Sequence, residues 1–180
     1  MTDDIYAIRD GSLKGWRIAG WGALLALLAL PTVAYLFDPG FGWSGGDFLF
    51  AIVMLGALGI AGEVALRVGK GWIHRLALLG AAGAGFATVW INAAVGIIGE
   101  GAINIAYDLI VLAALIGSVA VRFRAWDMAR VTALVIVAEL ITAIVAQLNG
   151  QADWGPALFA IALWLAPLLL FRKAASDAAG

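Results

Sequence analysis

The sequence predicts an all-α fold, a bundle of six transmembrane helices with both termini in the cytoplasm. Three observations lead there: an apolar excess that no water-facing surface can hold, six continuous apolar runs of spanning length, and cationic residues confined to alternate links. Hydrophobic residues fill 64% of the 180 positions and charged residues 13%, against about 45–50% and about 25% in soluble domains. A lipid-crossing helix needs about 20 apolar residues, so six of them with short links account for nearly the whole chain. Membrane strands would alternate apolar and polar residues over about 10 positions. The runs here are continuously apolar, and helices satisfy their own backbone in lipid.

Each element follows in order. Residues 1–14 are polar and mixed in charge and are expected to form a loose or interfacial arm. Their opening, Met1-Thr2-Asp3-Asp4-Ile5, lacks the basic and apolar regions of a cleavable signal, so the first span is expected to remain in the mature protein. The membrane domain is expected over residues 15–173, with spans at about 16–37, 47–68, 73–98, 103–121, 128–148 and 154–171. Pro31 is expected to kink the first span. Asp38-Pro39-Gly40, Gly69-Lys70-Gly71, Gly99-Glu100-Gly101 and Asn149-Gly150 punctuate the runs as turns. Pro156 and Pro167 lie near the two ends of the last span, and residues 174–180 read as a short tail.

Charge checks the span count independently of hydropathy. Arg9, Lys14 and Arg17 precede or begin span 1; Arg67, Lys70 and Arg75 flank the second link; Arg122, Arg124 and Arg130 flank the fourth; Arg172 and Lys173 follow span 6. These are all eleven Lys and Arg residues. The other links carry only Asp38, Asp47, Glu100 and Asp153. Cationic links stay cytoplasmic, and six spans with both ends inside satisfy every link. Trp16, Trp72 and Trp126 fall near the inner boundary and Trp43 and Trp154 near the outer one, where amphipathic rings settle.

Composition also excludes chemistry. The chain has no cysteine, one histidine and a net charge of −1. Disulfides, thiolate nucleophiles and Cys-ligated metals are ruled out, His74 alone cannot build a multi-histidine site, and no basic field invites nucleic acid. Phosphate-loop, dinucleotide, zinc-protease and serine-hydrolase motifs are missing. No cofactor and no catalytic residue are expected. The expected surroundings are a lipid bilayer, with self-association or other membrane subunits as partners.

Polar residues inside the spans are the candidates for a ligand or ion pathway, because a buried charge costs about 2.5–3.5 kcal/mol at the centre of an inserted helix. They are Glu139, Glu63, Asp108 and Asn92. Each has a structural alternative. Glu63 has Arg67 one turn on; Glu139, with no partner within a turn, can be neutral and bonded to a neighbouring helix; Asn92 can join two helices. Glu100, Asn104 and Asp108 are spaced four apart and, with Asn92, could supply the oxygen ligands of a hard cation, although acidic residues at a helix start fit the same spacing. Glycines 56, 59, 62, 80, 83 and 85 permit close helix approach. Ala57-Leu58-Gly59-Ile60-Ala61-Gly62-Glu63 also parallels Ala133-Leu134-Val135-Ile136-Val137-Ala138-Glu139, on spans running oppositely, the pattern of a three-plus-three inverted repeat.

Two stretches carry a resemblance. Val89-Trp90-Ile91-Asn92-Ala93-Ala94-Val95-Gly96-Ile97-Ile98-Gly99 resembles a W-x-N-x-A-V-G-I-I-G segment. Arg122-Phe123-Arg124 followed by Met128-Ala129-Arg130 resembles R-F-R-x-x-x-M-A-R. Both segments occur in a family of small uncharacterised integral membrane proteins of proteobacteria, and the likeness spans about residues 40–173. Those relatives continue the first segment with S-E-D-N-P-A-N-L, which Glu100 and Asn104 fit while the Asp-Asn-Pro turn is missing. Glu139 stands where many of them carry Gln. The resemblance implies a bacterial inner membrane and no assigned activity.

From these observations the leading expectation is a non-enzymatic polytopic membrane protein that binds a small or lipidic ligand, or serves as an accessory subunit of a membrane complex. The alternative is a small proton- or cation-coupled transporter or channel using intramembrane carboxylates. A lipid-modifying membrane enzyme is the third.

Overall fold

Six helices carry the chain: α1 (Thr2–Phe37), α2 (Gly45–Val68), α3 (Trp72–Val95), α4 (Ile105–Ala120), α5 (Ala125–Leu148) and α6 (Trp154–Asp177), with a 3₁₀ turn at Ala102–Asn104. The structure, a computed structural model, describes residues 2–38, 40–98, 101–151 and 154–179, with side chains from residue 14 onward. It contains no strand among the described residues. All six helices are long and apolar enough to cross a bilayer.

Several boundaries correct the sequence reading. The chain is helical from Thr2, so residues 2–14 of the expected loose or interfacial arm are continuous with the first span, and Pro31 lies within the same helix. The tail is likewise helical through Asp177. The third span ends at Val95 rather than Ile98, since Gly96 takes a left-handed φ of 72°, a conformation that glycine adopts without steric cost. The fifth begins three residues early, at Ala125.

The chain forms two compact units, Met1–Leu66 and Arg67–Gly180. The division falls between two helices and four. The first unit holds α1 and most of α2. Gly59 is buried on α2, and the ring of Trp21 from α1 lies where a Cβ on Gly59 would stand, 2.6 Å from its Cη2.

In the second unit α3, α4, α5 and α6 form a ring in which each helix packs on the next and α6 returns to α3. Short links make sequential neighbours antiparallel. Gly80 faces Pro167, Gly85 faces Trp164 and His74 packs edge-on against Phe171, so α3 and α6 also run oppositely. The seams are legible as spacing. Met128, Thr132, Val135, Glu139, Ala143 and Ala146 are buried along α5, and Ala157, Ala160, Trp164, Pro167 and Phe171 along α6. Steps of three and four place each set on one face. Outward, Leu134 and Leu169 are 68% and 63% exposed, whereas Glu139 is 0% exposed. An apolar exterior around a polar interior group belongs to a protein whose surroundings are lipid.

The links hold through backbone bonds. Asn149 and Gly150 close α5, with the Gln151 N–H bonded to the Ala146 carbonyl at 2.9 Å and Gly150 at φ 70°, a Schellman ending. The 121–124 link makes the same closure without glycine. The Phe123 N–H reaches Ser118 O at 3.0 Å, and Arg122 and Phe123 take φ of 52° and 55°, at a cost of roughly 1–2 kcal/mol each. His74 closes the second link, its Nδ1 accepting the Lys70 N–H at 3.2 Å.

Candidate functional site

Glu139 is the sole ionisable residue of the α5 seam, and the packing of α6 supplies its partner. Trp164 projects from the α6 seam across the bundle. Its Nε1–H donates to Glu139 Oε1 at 3.0 Å. The adjoining Cζ2–Cη2 edge of the same indole faces Gly85 of α3, where an added Cβ would stand 3.6 Å from Cη2. Gly85 thus makes the space that lets one side chain touch α3 and α5 together. Around the indole pack Ala84, Ala114 and Val135.

The second Glu139 oxygen, Oε2, is buried and has no hydrogen-bonding partner among the described residues. Tyr107, at the start of α4, is fully buried and packs in one cluster with Ala143, one turn along α5 from Glu139; its hydroxyl also lacks a partner among the described residues. Thr88 lies one turn beyond Gly85, on the same face of α3, and its Oγ1 is the third such atom. The contrast with the other hydroxyls is informative. Thr32, Ser118, Thr132 and Thr142 each donate to the carbonyl four residues back at 2.7–2.9 Å, the ordinary resolution for a helical hydroxyl. Thr88 does not. A buried polar group left unpaired costs about 1–3 kcal/mol; His74 Nε2, beside Phe171 near the other end of α3, is the fourth among the described residues of this bundle, and the three around Trp164 require an explanation.

Asn92 has a different role. Its Nδ2 donates to the backbone carbonyl of Asn104 at 2.9 Å. The Asn104 Oδ1 accepts the backbone N–H groups of Ile97 and Ile98 at 3.1 and 3.0 Å. The two amides pin the link between α3 and α4, and Ile97 and Ile98 turn inward to pack with Tyr107, Ala143, Ala146, Ala157 and Ala160. Asn104 therefore sits in the 3₁₀ turn ahead of α4, facing the link, while Asp108 is exposed on α4. Glu100 lies outside the described residues. No group of three or more His, Asp or Glu side chains converges among the described residues.

Glu63 lies between α2 and α1. Arg17 Nε donates to Glu63 Oε1 at 2.7 Å and Trp21 Nε1 donates to the same oxygen at 3.3 Å. The side chains are 48% and 17% exposed for Arg17 and Glu63. Lys14, Arg17, Ile18, Trp21, Gly22, Leu25 and Glu63 line a groove of about 570 Å³. Its one end is cationic and its floor apolar.

Sequence reasoning selected the two glutamates and missed the donors they meet, Trp164 for Glu139 and Arg17 and Trp21 for Glu63, as well as the buried hydroxyls of Tyr107 and Thr88. One signal was available for Trp164. Most tryptophans here sit at span ends, whereas Trp164 lies mid-span, where a buried indole N–H must find an acceptor.

No protein-family model, no curated protein and no solved structure matches the chain. The helices alone place it among multi-pass membrane proteins.

Proposed function

We propose that the protein is a non-enzymatic component of the bacterial cytoplasmic membrane, with both termini inside, that binds an anionic lipid in the groove between α1 and α2. The observation that carries this reading is the composition of the groove. Lys14 and Arg17 stand at one end, and Ile18, Gly22 and Leu25 continue it as an apolar track. Two cations against the single carboxylate of Glu63 leave one positive charge for a phosphate, and the track suits an acyl chain. The clustering of all eleven Lys and Arg on alternate links and the resemblance of the segments at residues 89–99 and 122–130 to proteobacterial membrane proteins support the location and orientation.

The test is lipid retention by the purified protein from vesicles mixing phosphatidylglycerol with phosphatidylcholine. Anionic lipid should be enriched, and Lys14→Gln should reduce the enrichment about fivefold, the equivalent of about 1 kcal/mol for one cation near an anionic surface. Arg17→Gln paired with Glu63→Gln removes the ion pair, keeps the one excess positive charge of Lys14 and should leave the enrichment nearly unchanged. Equal retention of the two lipids would overturn the reading.

A second reading, movement of protons or cations past Glu139 and Glu63, is favoured by the unpartnered Glu139 Oε2. Proteoliposomes carrying a pH-sensitive dye test it. Flux that survives Glu139→Gln unchanged rules out that carboxyl as the path.

A further inference from the structure

We propose that Glu139, Tyr107 and Thr88 form an oxygen-lined site for one monovalent cation, sodium or a proton, inside the α3–α6 bundle. The inference deepens the second reading above, yet needs no transport: a site can be occupied without conducting.

Three atoms define it. Glu139 Oε2, Tyr107 OH and Thr88 Oγ1 come from three different helices, belong to side chains that are 0% exposed, and lack hydrogen-bonding partners among the described residues. Their common neighbourhood follows from contacts. Trp164 meets Glu139 through its Nε1–H and Gly85 along the adjoining Cζ2–Cη2 edge, Thr88 is one turn from Gly85 on the inner face, and Tyr107 shares a buried cluster with Ala143, one turn along α5 from Glu139. The Trp164 N–H fixes Oε1 and leaves Oε2 as the free acceptor. Thr88 forgoes the backbone carbonyl that Ser118, Thr132 and Thr142 use, so its oxygen remains available as a ligand.

The donor set selects the guest. Carboxylate and hydroxyl oxygens suit hard cations. One carboxylate balances one positive charge, whereas a divalent ion would leave a net charge buried away from water. Among the described residues Tyr107 is the other titratable side chain of this part of the bundle; α3 and α6 contribute Thr88 and Trp164, neither of which titrates.

The experiment is labelling of Glu139 by dicyclohexylcarbodiimide, an apolar reagent that attacks a protonated carboxyl, in the full chain in detergent and read by mass spectrometry. If sodium fills the site, labelling at fixed pH falls as NaCl replaces choline chloride at constant ionic strength. If the proton fills it, labelling ignores sodium and falls between about pH 5 and pH 9, the range open to a buried carboxyl. In that case an infrared carboxyl band should follow the same titration and vanish in Glu139→Gln. Thr88→Val and Tyr107→Phe should each shift the midpoint about tenfold, as expected for losing a hydrogen bond to a charged group, in protein whose helix content is unchanged. Labelling that responds to neither sodium nor pH, or that responds identically in both variants, would overturn the site and leave Glu139 as an acceptor for Trp164 alone. Liposome flux is measured separately, so a responsive site without flux defeats transport and not occupancy.

Discussion

The indole N–H of Trp164 on α6 donates to the carboxyl of Glu139 on α5 at 3.0 Å, with both side chains buried in the ring of α3, α4, α5 and α6. A carboxyl in an apolar bundle is tolerable only when hydrogen-bonded, so this bond is a condition for placing Glu139 there. The indole can reach because Gly85 yields the space behind it.

Trp164→Phe keeps most of the ring volume and removes the donor. It should destabilise the bundle by about 1–3 kcal/mol, measured as the shift in a reversible unfolding transition in mixed detergent. Trp164→Phe combined with Glu139→Leu removes both partners and should restore much of the loss. No recovery in the double variant would show that the ring's packing, and not its N–H, is what counts.

Neighbouring glycines on α3 should respond in opposite ways. A Cβ at Gly85 would stand 3.3 Å from Val111 and 3.6 Å from Trp164, while one at Gly83 meets nothing within 4 Å. Gly85→Ala should cost about 1–3 kcal/mol through overpacking. Gly83→Ala should be neutral or stabilising by up to about 1 kcal/mol from helix propensity. The same unfolding assay checks both, and equal effects would contradict the packing described.

Asn104→Ala should loosen the link between α3 and α4. It removes the acceptor of the Ile97 and Ile98 N–H groups, at about 1–3 kcal/mol for the pair. Hydrogen exchange should accelerate at Ile97 and Ile98 while the amides of the α5 seam keep their protection. Uniformly faster exchange would mean that the link supports the whole bundle.

The absence of cysteine makes the topology directly testable. Trp43→Cys and Gln151→Cys should react with an impermeant maleimide added to intact cells. Lys70→Cys and Arg124→Cys should react only after permeabilisation, because cationic links stay inside. Reaction of both sets from the same side would refute six crossings with both ends inside.

The sequence by itself determined the number of helices, their rough limits and the polar residues within them. Those properties are local: twenty apolar residues between turns make a spanning helix whatever packs against it. The ends that differed, at Thr2, Val95 and Asp177, are places where weak local preferences decide, and boundaries there shift with a single glycine conformation. Only the tertiary structure decided which side chains meet. Arg17 pairs with Glu63, Asn104 secures Ile97 and Ile98, and Trp164 meets Glu139. Those contacts depend on how each helix is rotated about its axis. That rotation is fixed by fitting bulky rings over glycines on another helix, as Trp164 fits over Gly85 and Trp21 over Gly59, and no property of one segment read alone contains it.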